Sequence, residues 1–332
     1  MATVVFLAVI TIVVALIFDF VNGFHDAANS IATIVATRVL SPLQAVLMAA
    51  FWNFVGAFLF GVAIAKTVGS GIIVKQAATI DVLLAALIGA IIWNLITWRF
   101  GLPSSSSHAL IGGLVGSAIT FGGINTIIFS GLNKILLFIV LAPLLGMVGS
   151  IIFAVVVFSI SKGFSPVKIN SWFKRLQLIS ASWYSLGHGT NDAQKTMGVI
   201  AAVLFSAGFI DSFRIDRWVI IAAYTAIALG TFAGGWKIVK TMGSRLTKLR
   251  PVDGFCAESG GAITLLATAH FGIPVSTTHV IAGSIMGVGV TKRASGVRWG
   301  VARNIIYGWL LTIPMSAFFA AVSHVLLTRL LS

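Results

Sequence analysis

Apolar residues run through this chain in long uninterrupted blocks rather than at the spacing of an amphipathic helix or strand. Blocks near the ~20 residues that a helix needs to cross hydrocarbon cover 3–20, 42–65, 80–100, 133–160, 217–239 and 300–328. Shorter ones at 108–120, 192–207 and 279–290 cannot all span alone. Only helices and closed barrels satisfy their backbone groups inside lipid, and blocks of this length predict an all-α integral membrane protein with about ten hydrophobic segments. Composition agrees, since 58% of the 332 residues are apolar and 9% charged, which leaves no room for a soluble domain. The first block has no basic residue ahead of it, Arg38 being the earliest, so it reads as a retained helix rather than a cleaved signal. The lone Cys256 excludes an intramolecular disulfide and a cysteine metal site.

The net charge of +14 could suggest nucleic acid, but its distribution points to a membrane surface. Lys162, Lys168, Lys174 and Arg175 read as one basic loop, Lys240, Arg245, Lys248 and Arg250 as a second, and Lys292, Arg293, Arg298 and Arg303 as a third. The positive-inside rule places all three in the cytoplasm, and no nucleic-acid partner is expected.

The chain is written twice. FGLPSSSSHALIGGLVG (100–116) aligns with FGIPVSTTHVIAGSIMG (271–287) at an offset of 171. Gly56–Phe58 and Lys66–Ser70 align with Gly230–Phe232 and Lys240–Ser244 at 174, His25–Ala28 with Asn191–Gln194 at 166, and Pro143 with Pro314 at 171. Ordered repetition of this kind predicts a duplication, with repeats at 1–160 and 176–332 joined by a basic cytoplasmic linker at 161–175. Cytoplasmic basic loops require an odd number of crossings per half, so the repeats are expected to be inverted, with extracellular N and C termini. The simplest half is a broken helix, a full helix, a re-entrant hairpin and a final full helix, giving six crossings and two hairpins in all. Matching interruptions in two inverted halves mark a transporter binding site near the midplane.

Two kinds of interruption carry chemistry. Pro103 and Pro274 cannot continue a helix but suit the start of the next one, so Ser104, Ser105, Ser106 and Ser107 and their counterparts Ser276, Thr277 and Thr278 are expected at helix N-termini. Free amides, hydroxyls and the helix dipole at such an end hold tetrahedral oxyanions; the same residues also serve elsewhere as caps and as small packing groups. FDFVNGFHDAANS (18–30) and SLGHGTNDAQKT (185–196) each break an apolar run with Gly, Asn and His and place Asp26 and Asp192 at membrane depth, where a carboxylate costs about 2.5–3.5 kcal/mol on insertion scales and commonly marks an ion pathway. With Asn22, Asn29, Asn191 and Gln194 they form an oxygen-rich set suited to Na+ or a proton, unless they only cap helices or pair with Lys195. Lys195 either neutralises Asp192 or helps attract the anion. Glu258, the only glutamate, reads as a further cation or proton site or as a buried hydrogen-bonding group, and Asp19 as a similar site or an interfacial residue. His108 and His279 either steady the tips or pack between helices.

GFHDAANSIAT, GHGTNDAQKTMG and the two Pro-Ser/Thr-His hairpins resemble the inorganic phosphate transporter family, the PiT-type symporters, over nearly the whole chain. The resemblance implies a homodimeric, multi-pass transporter of the cell inner (plasma) membrane that couples inorganic phosphate uptake to a cation. It implies that Asp26, Asp192, Asn29, Asn191 and Gln194 hold the cation, with Na+ at Asp26, Asn29, Asn191 and Asp192. Ser105, Ser106, Ser107, Ser276, Thr277 and Thr278 would then cradle phosphate. His25 departs from the pattern, because many members carry asparagine there; the substitution loses an amide oxygen suited to sodium and gains a group that titrates near neutral pH, favouring H+ over Na+. Some members resembling this family carry sulfate, but an ionised acceptor prefers an anion that still carries a proton, as phosphate does. No resident cofactor is expected, only the co-transported ion. An intramembrane serine hydrolase drawn from Ser107, His108 and Asp26 is disfavoured because neighbouring helical residues diverge by about 100° and both hairpins carry the same elements. An uncoupled anion channel leaves the two carboxylates beside the anion unexplained.

Overall fold

The computed structural model describes residues 2–331. They form α1 (Ala2–Ala36), α2 (Pro42–Val55), α3 (Ala63–Ser70), α4 (Ile80–Phe100), α5 (Ser106–Gly122), α6 (Phe129–Ser161), α7 (Pro166–Ser206), α8 (Arg217–Ala233), α9 (Trp236–Lys240), α10 (Pro251–His270), α11 (Thr277–Lys292) and α12 (Trp299–Leu331). No strand occurs among the described residues, and the only sheet-like pairings are the isolated bridges Ile73 to Ile127 and Thr247 to Val297. Four helices, α1, α4, α6 and α12, are long and apolar enough to cross a membrane by themselves; the bent pairs α2–α3 and α8–α9 raise this to six if each is one span. The sequence-based six instead count α7 and treat α4 as a hairpin arm. α7 has ample length, but its polar central stretch conceals it from an apolar count.

The broken helix lies in a different place from the expected one. α1 and α7 run unbroken through the Asp26 and Asp192 segments, and the bends of 85° and 62° fall in the second span of each half. The glycines that suggested a break are close-packing sites. A Cβ on Gly23 would come within 2.3 Å of the Ile227 carbonyl oxygen on α8, and one on Gly189 within 2.6 Å of the Asn53 carbonyl oxygen on α2. Absent side chains let helix backbones approach inside a membrane, where shape fit drives association. The first basic loop is likewise largely helical. Ser165 caps α7 and Pro166 occupies its first turn, so Lys168, Lys174 and Arg175 lie on the helix and only Lys162 precedes it.

The two hairpins are built alike. α4 ends at Gly101 (φ 65) and α10 is followed by Gly272 (φ 63), 171 residues apart; both adopt the left-handed conformation that glycine allows at a helix end. α5 and α11 then start at Ser106 and Thr277, capped by Ser105 and Ser276, whose hydroxyls accept from the His108 and His279 amides at 3.2 Å. Each hairpin lies along the last helix of the other half. Gly112 meets Ser316 and Gly116 meets Ala317 on α12, while Gly283 meets Pro143 and Gly287 meets Met147 on α6. α1 packs on α8, and α2 and α3 pack on α7. Apolar side chains of α6 such as Val140, Leu144, Val148, Ile152 and Val155 stay exposed, as a lipid-facing flank requires.

Candidate functional site

The two hairpin tips meet in the middle of the protein, against α1 and α7. Lys195 of α7 ties them together: its ammonium donates to Ser107 of the first tip, to the Val275 carbonyl of the second at 3.0 Å, and to Asp192 at 2.5 Å. The second Asp192 oxygen accepts from Thr277 at 3.0 Å and lies 3.1 Å from His188 Nε2. Ser107 also reaches Asp192, at 3.4 Å. Asn29 of α1 donates to Thr277 at 3.0 Å and to Thr278 at 2.9 Å, and the Tyr184 hydroxyl donates to the Thr277 carbonyl at 2.8 Å. All of these side chains are 5% exposed or less.

Around the first tip, His25 Nδ1 sits 2.6 Å from Asp26, and its Nε2 lies 3.0 Å from Thr97 and 3.3 Å from Ser104. One imidazole thus links Asp26 to the hairpin. Ligand atoms of Asp26, His188 and Asp192 lie within 4.8 Å of one another, close enough to hold one cation. The N-terminal turns of α5 and α11 face this cluster, and the amides of their first residues, Ser106, Ser107, Thr277 and Thr278, have no acceptor within the helix. Ser106 Oγ is buried and unpartnered. The arrangement sets the positive ends of two helices and an ammonium beside buried carboxylates, groups that can hold an anion and a cation respectively.

A sequence profile of the phosphate transporter family matches residues 22–168 and 158–320. The chain belongs to that family. This phosphate transporter family member is 54% identical over 314 residues to the probable low-affinity inorganic phosphate transporter of Rhizobium meliloti, covering 94% of each chain. It is 44% identical over 329 residues to the Bacillus subtilis protein of the same description, covering 98% of each. A solved structure described as the sodium-dependent phosphate transporter superposes with a TM-score of 0.88 at 28% identity, over 97% of this chain and 99% of that one.

Within this family member the expected residues divide into groups. Asp26, Asn29, His25, Asp192, Lys195, Ser104, Ser107, Thr277 and Thr278 gather at the tips. Ser105 and Ser276 sit there too, but their hydroxyls are taken up as helix caps. Gln194 turns aside and accepts from the Ile64 amide at 2.9 Å, capping α3, which has no side-chain cap from Val62. Asn191 donates to the Gly187 and Leu265 carbonyls. Glu258 lies in a separate network, accepting from Thr33 at 2.6 Å, Gln177 at 2.9 Å and Ser180 at 2.5 Å. Asn22 lies on α1 with its carbonyl oxygen unpartnered, near Asp19, which is fully buried rather than interfacial. Ser107 does not turn to His108; that ring packs edge-on to His279 at 4.7 Å, and His279 stacks on Trp309 at 3.9 Å.

His188 and Thr97 are absent from the expected set. His188 is visible in GHGTND, one helical turn before Asp192, and the i, i+4 spacing that places both on one face is the signal that would have found it. Thr97 carries no comparable signal, since it stands in an apolar run and meets His25 only when the hairpin folds back.

Proposed function

We propose that this chain is a symporter that imports inorganic phosphate with a monovalent cation by alternating access between inverted halves. One observation supports the reading most: Lys195 is held by Asp192 at the junction of two helix N-termini from two hairpins. A dianion entering between the tips would take over donors now shared within the protein, namely the Lys195 ammonium, the Ser107 and Thr277 hydroxyls and the free amides of both turns. Asp192, released from Lys195, then requires a cation of its own, which ties anion entry to cation entry. Phosphate fits better than sulfate, because near neutral pH it retains a proton to donate to an ionised Asp26 or Asp192.

Inversion is supported by the way each hairpin opens. The mouth of the second gathers Arg250, Lys292 and Asp253 beside Phe158 near the end of α6. That of the first lies beside the end of α12, where His324 meets Asp81 at 3.0 Å. The basic residues at the second mouth fit a cytoplasmic face, with both termini outside. The coupling ion is H+ or Na+. His25 paired to Asp26 favours H+; the structural relative described as sodium-dependent favours Na+.

The test is uptake of labelled phosphate into proteoliposomes under an imposed inward proton or sodium gradient, each alone. Accumulation above equilibrium under one of them is expected, and its loss in Asp26→Asn and in Asp192→Asn with insertion retained. Uptake that only equilibrates under both gradients would refute coupling.

A further inference from the structure

Nearly every carboxylate buried between these helices has a partner. Asp26 pairs with His25, Asp192 with Lys195 and His188, Glu258 with three donors, and Asp253 with Lys292 and Arg250. Asp19 does not. It is 0% exposed on α1, two turns before Asp26, and neither of its oxygens has a hydrogen-bond partner.

Two further buried oxygens beside it share that condition. Asn22 Oδ1 lies one turn along the same face of α1, and Thr196 Oγ1 comes from α7, which packs against α1. Both groups stand next to the Asp19 carboxyl, yet no hydrogen bond of normal geometry closes among the three. Their exposures are 1% for Asn22 and 0% for Thr196, so bulk water does not satisfy them. Unpartnered buried oxygens are rare in proteins, and here a carboxylate, an amide oxygen and a hydroxyl share one place. All are hard oxygen ligands and one is anionic, the donor set of an alkali cation rather than of a transition metal.

We propose that Asp19, Asn22 and Thr196 form a binding site for a sodium-sized alkali cation, distinct from the Asp26–His188–Asp192 group. The inference rests on the symport reading and deepens it. Asp26 and Asp192 already pair with the protein's own His25 and Lys195, whereas Asp19 has no basic side chain in hydrogen-bonding reach. Lys195 also acts electrostatically on Asp19, so a cation held there adds positive charge within reach of the group that would bind the anion.

The test uses purified full-length protein in detergent without phosphate. Thermal unfolding is followed while NaCl replaces choline chloride at constant ionic strength and fixed pH. A saturable rise in midpoint is expected in the wild type, with the half-effect concentration raised about tenfold or more, equivalent to about 1.4 kcal/mol, in Asp19→Asn and in Thr196→Val. Thr196→Val keeps the side-chain shape and reads the site even if Asp19→Asn fails to fold. No sodium response in the wild type, a response to pH alone, or unchanged half-effect concentrations in both variants would overturn the site. Exchange of labelled phosphate in proteoliposomes with equal sodium on both sides is measured separately. Loss of the sodium response together with intact wild-type exchange supports both readings; a sodium response lost in the variants beside absent wild-type exchange retains the cation site and removes the phosphate one.

Discussion

Replacing Lys195 by methionine separates the contribution of its charge from that of its stem. The variant keeps the side-chain length but leaves Asp192 with only Thr277 at 3.0 Å, His188 at 3.1 Å and Ser107 at 3.4 Å, and deprives the Val275 carbonyl of its donor. Both members of the original pair are nearly inaccessible to water. Removing one partner from such a pair costs about 3–5 kcal/mol, whereas replacing both groups by neutral ones of similar shape is close to neutral. Lys195→Met is therefore expected to raise the unfolding equilibrium constant by about two to nearly four orders of magnitude. The double variant Lys195→Met/Asp192→Asn should recover most of that loss, because the new amide still accepts from Thr277. The assay is reversible unfolding in mixed micelles titrated with SDS, analysed as a double-mutant cycle. A coupling of about 3 kcal/mol is expected. The reasoning fails if the single variant matches the wild type, or if the double variant is no more stable than Lys195→Met. Gradient-driven uptake should be lost in both, so recovered folding without recovered transport would place the pair in the transport cycle.

Gly283→Ala puts a Cβ 2.0 Å from the Pro143 carbonyl oxygen, and restoring ordinary van der Waals separation moves α11 and α6 apart by about 1.4 Å; overpacking of this kind costs about 1–3 kcal/mol, read from the same unfolding titration. Ser105→Ala removes a cap and should cost about 0.5–2 kcal/mol of stability with little change in phosphate half-saturation, while Thr277→Val removes a donor to the buried Asp192 carboxylate, should cost about 1–3 kcal/mol, and should weaken phosphate strongly; equal effects on half-saturation would contradict the division between capping and binding hydroxyls. Glu258→Gln disturbs a carboxylate with three donors and is expected to destabilise by about 1–3 kcal/mol. Driven uptake per folded molecule should persist in that variant.

The tips were legible because their chemistry is local. Gly, Pro and a Ser/Thr cap over seven residues dictate a helix end and a helix start without help from the rest of the chain, and the offset of 171 supplies the second copy. Gly23 and Gly189 misled because a glycine that permits a turn and one that admits a neighbouring backbone look the same in sequence. Only the approach of α8 and α2 separates the two cases. Gln194 was grouped with the cation ligands for its position beside Asp192. The uncapped start of α3, which claims its side chain, comes from 130 residues earlier in the chain. The burial of Asp19 is hidden for the same reason, since apart from Asn22 the polar groups beside it, Thr196 among them, belong to α7.

The crossed packing has a consequence for how the protein is made. A nascent chain completes its first hairpin by about residue 122, but the seat for that hairpin is α12, the last helix synthesised. α1 likewise waits for α8. Until residues 299–331 emerge, the glycine-lined face of α5 has nothing to lie against, and Trp309 is not there to bind the Pro103 carbonyl. Long-range docking of this sort delays assembly and exposes intermediates. A chain cut short before α12 would therefore present an unseated hairpin to the quality-control machinery of the bilayer.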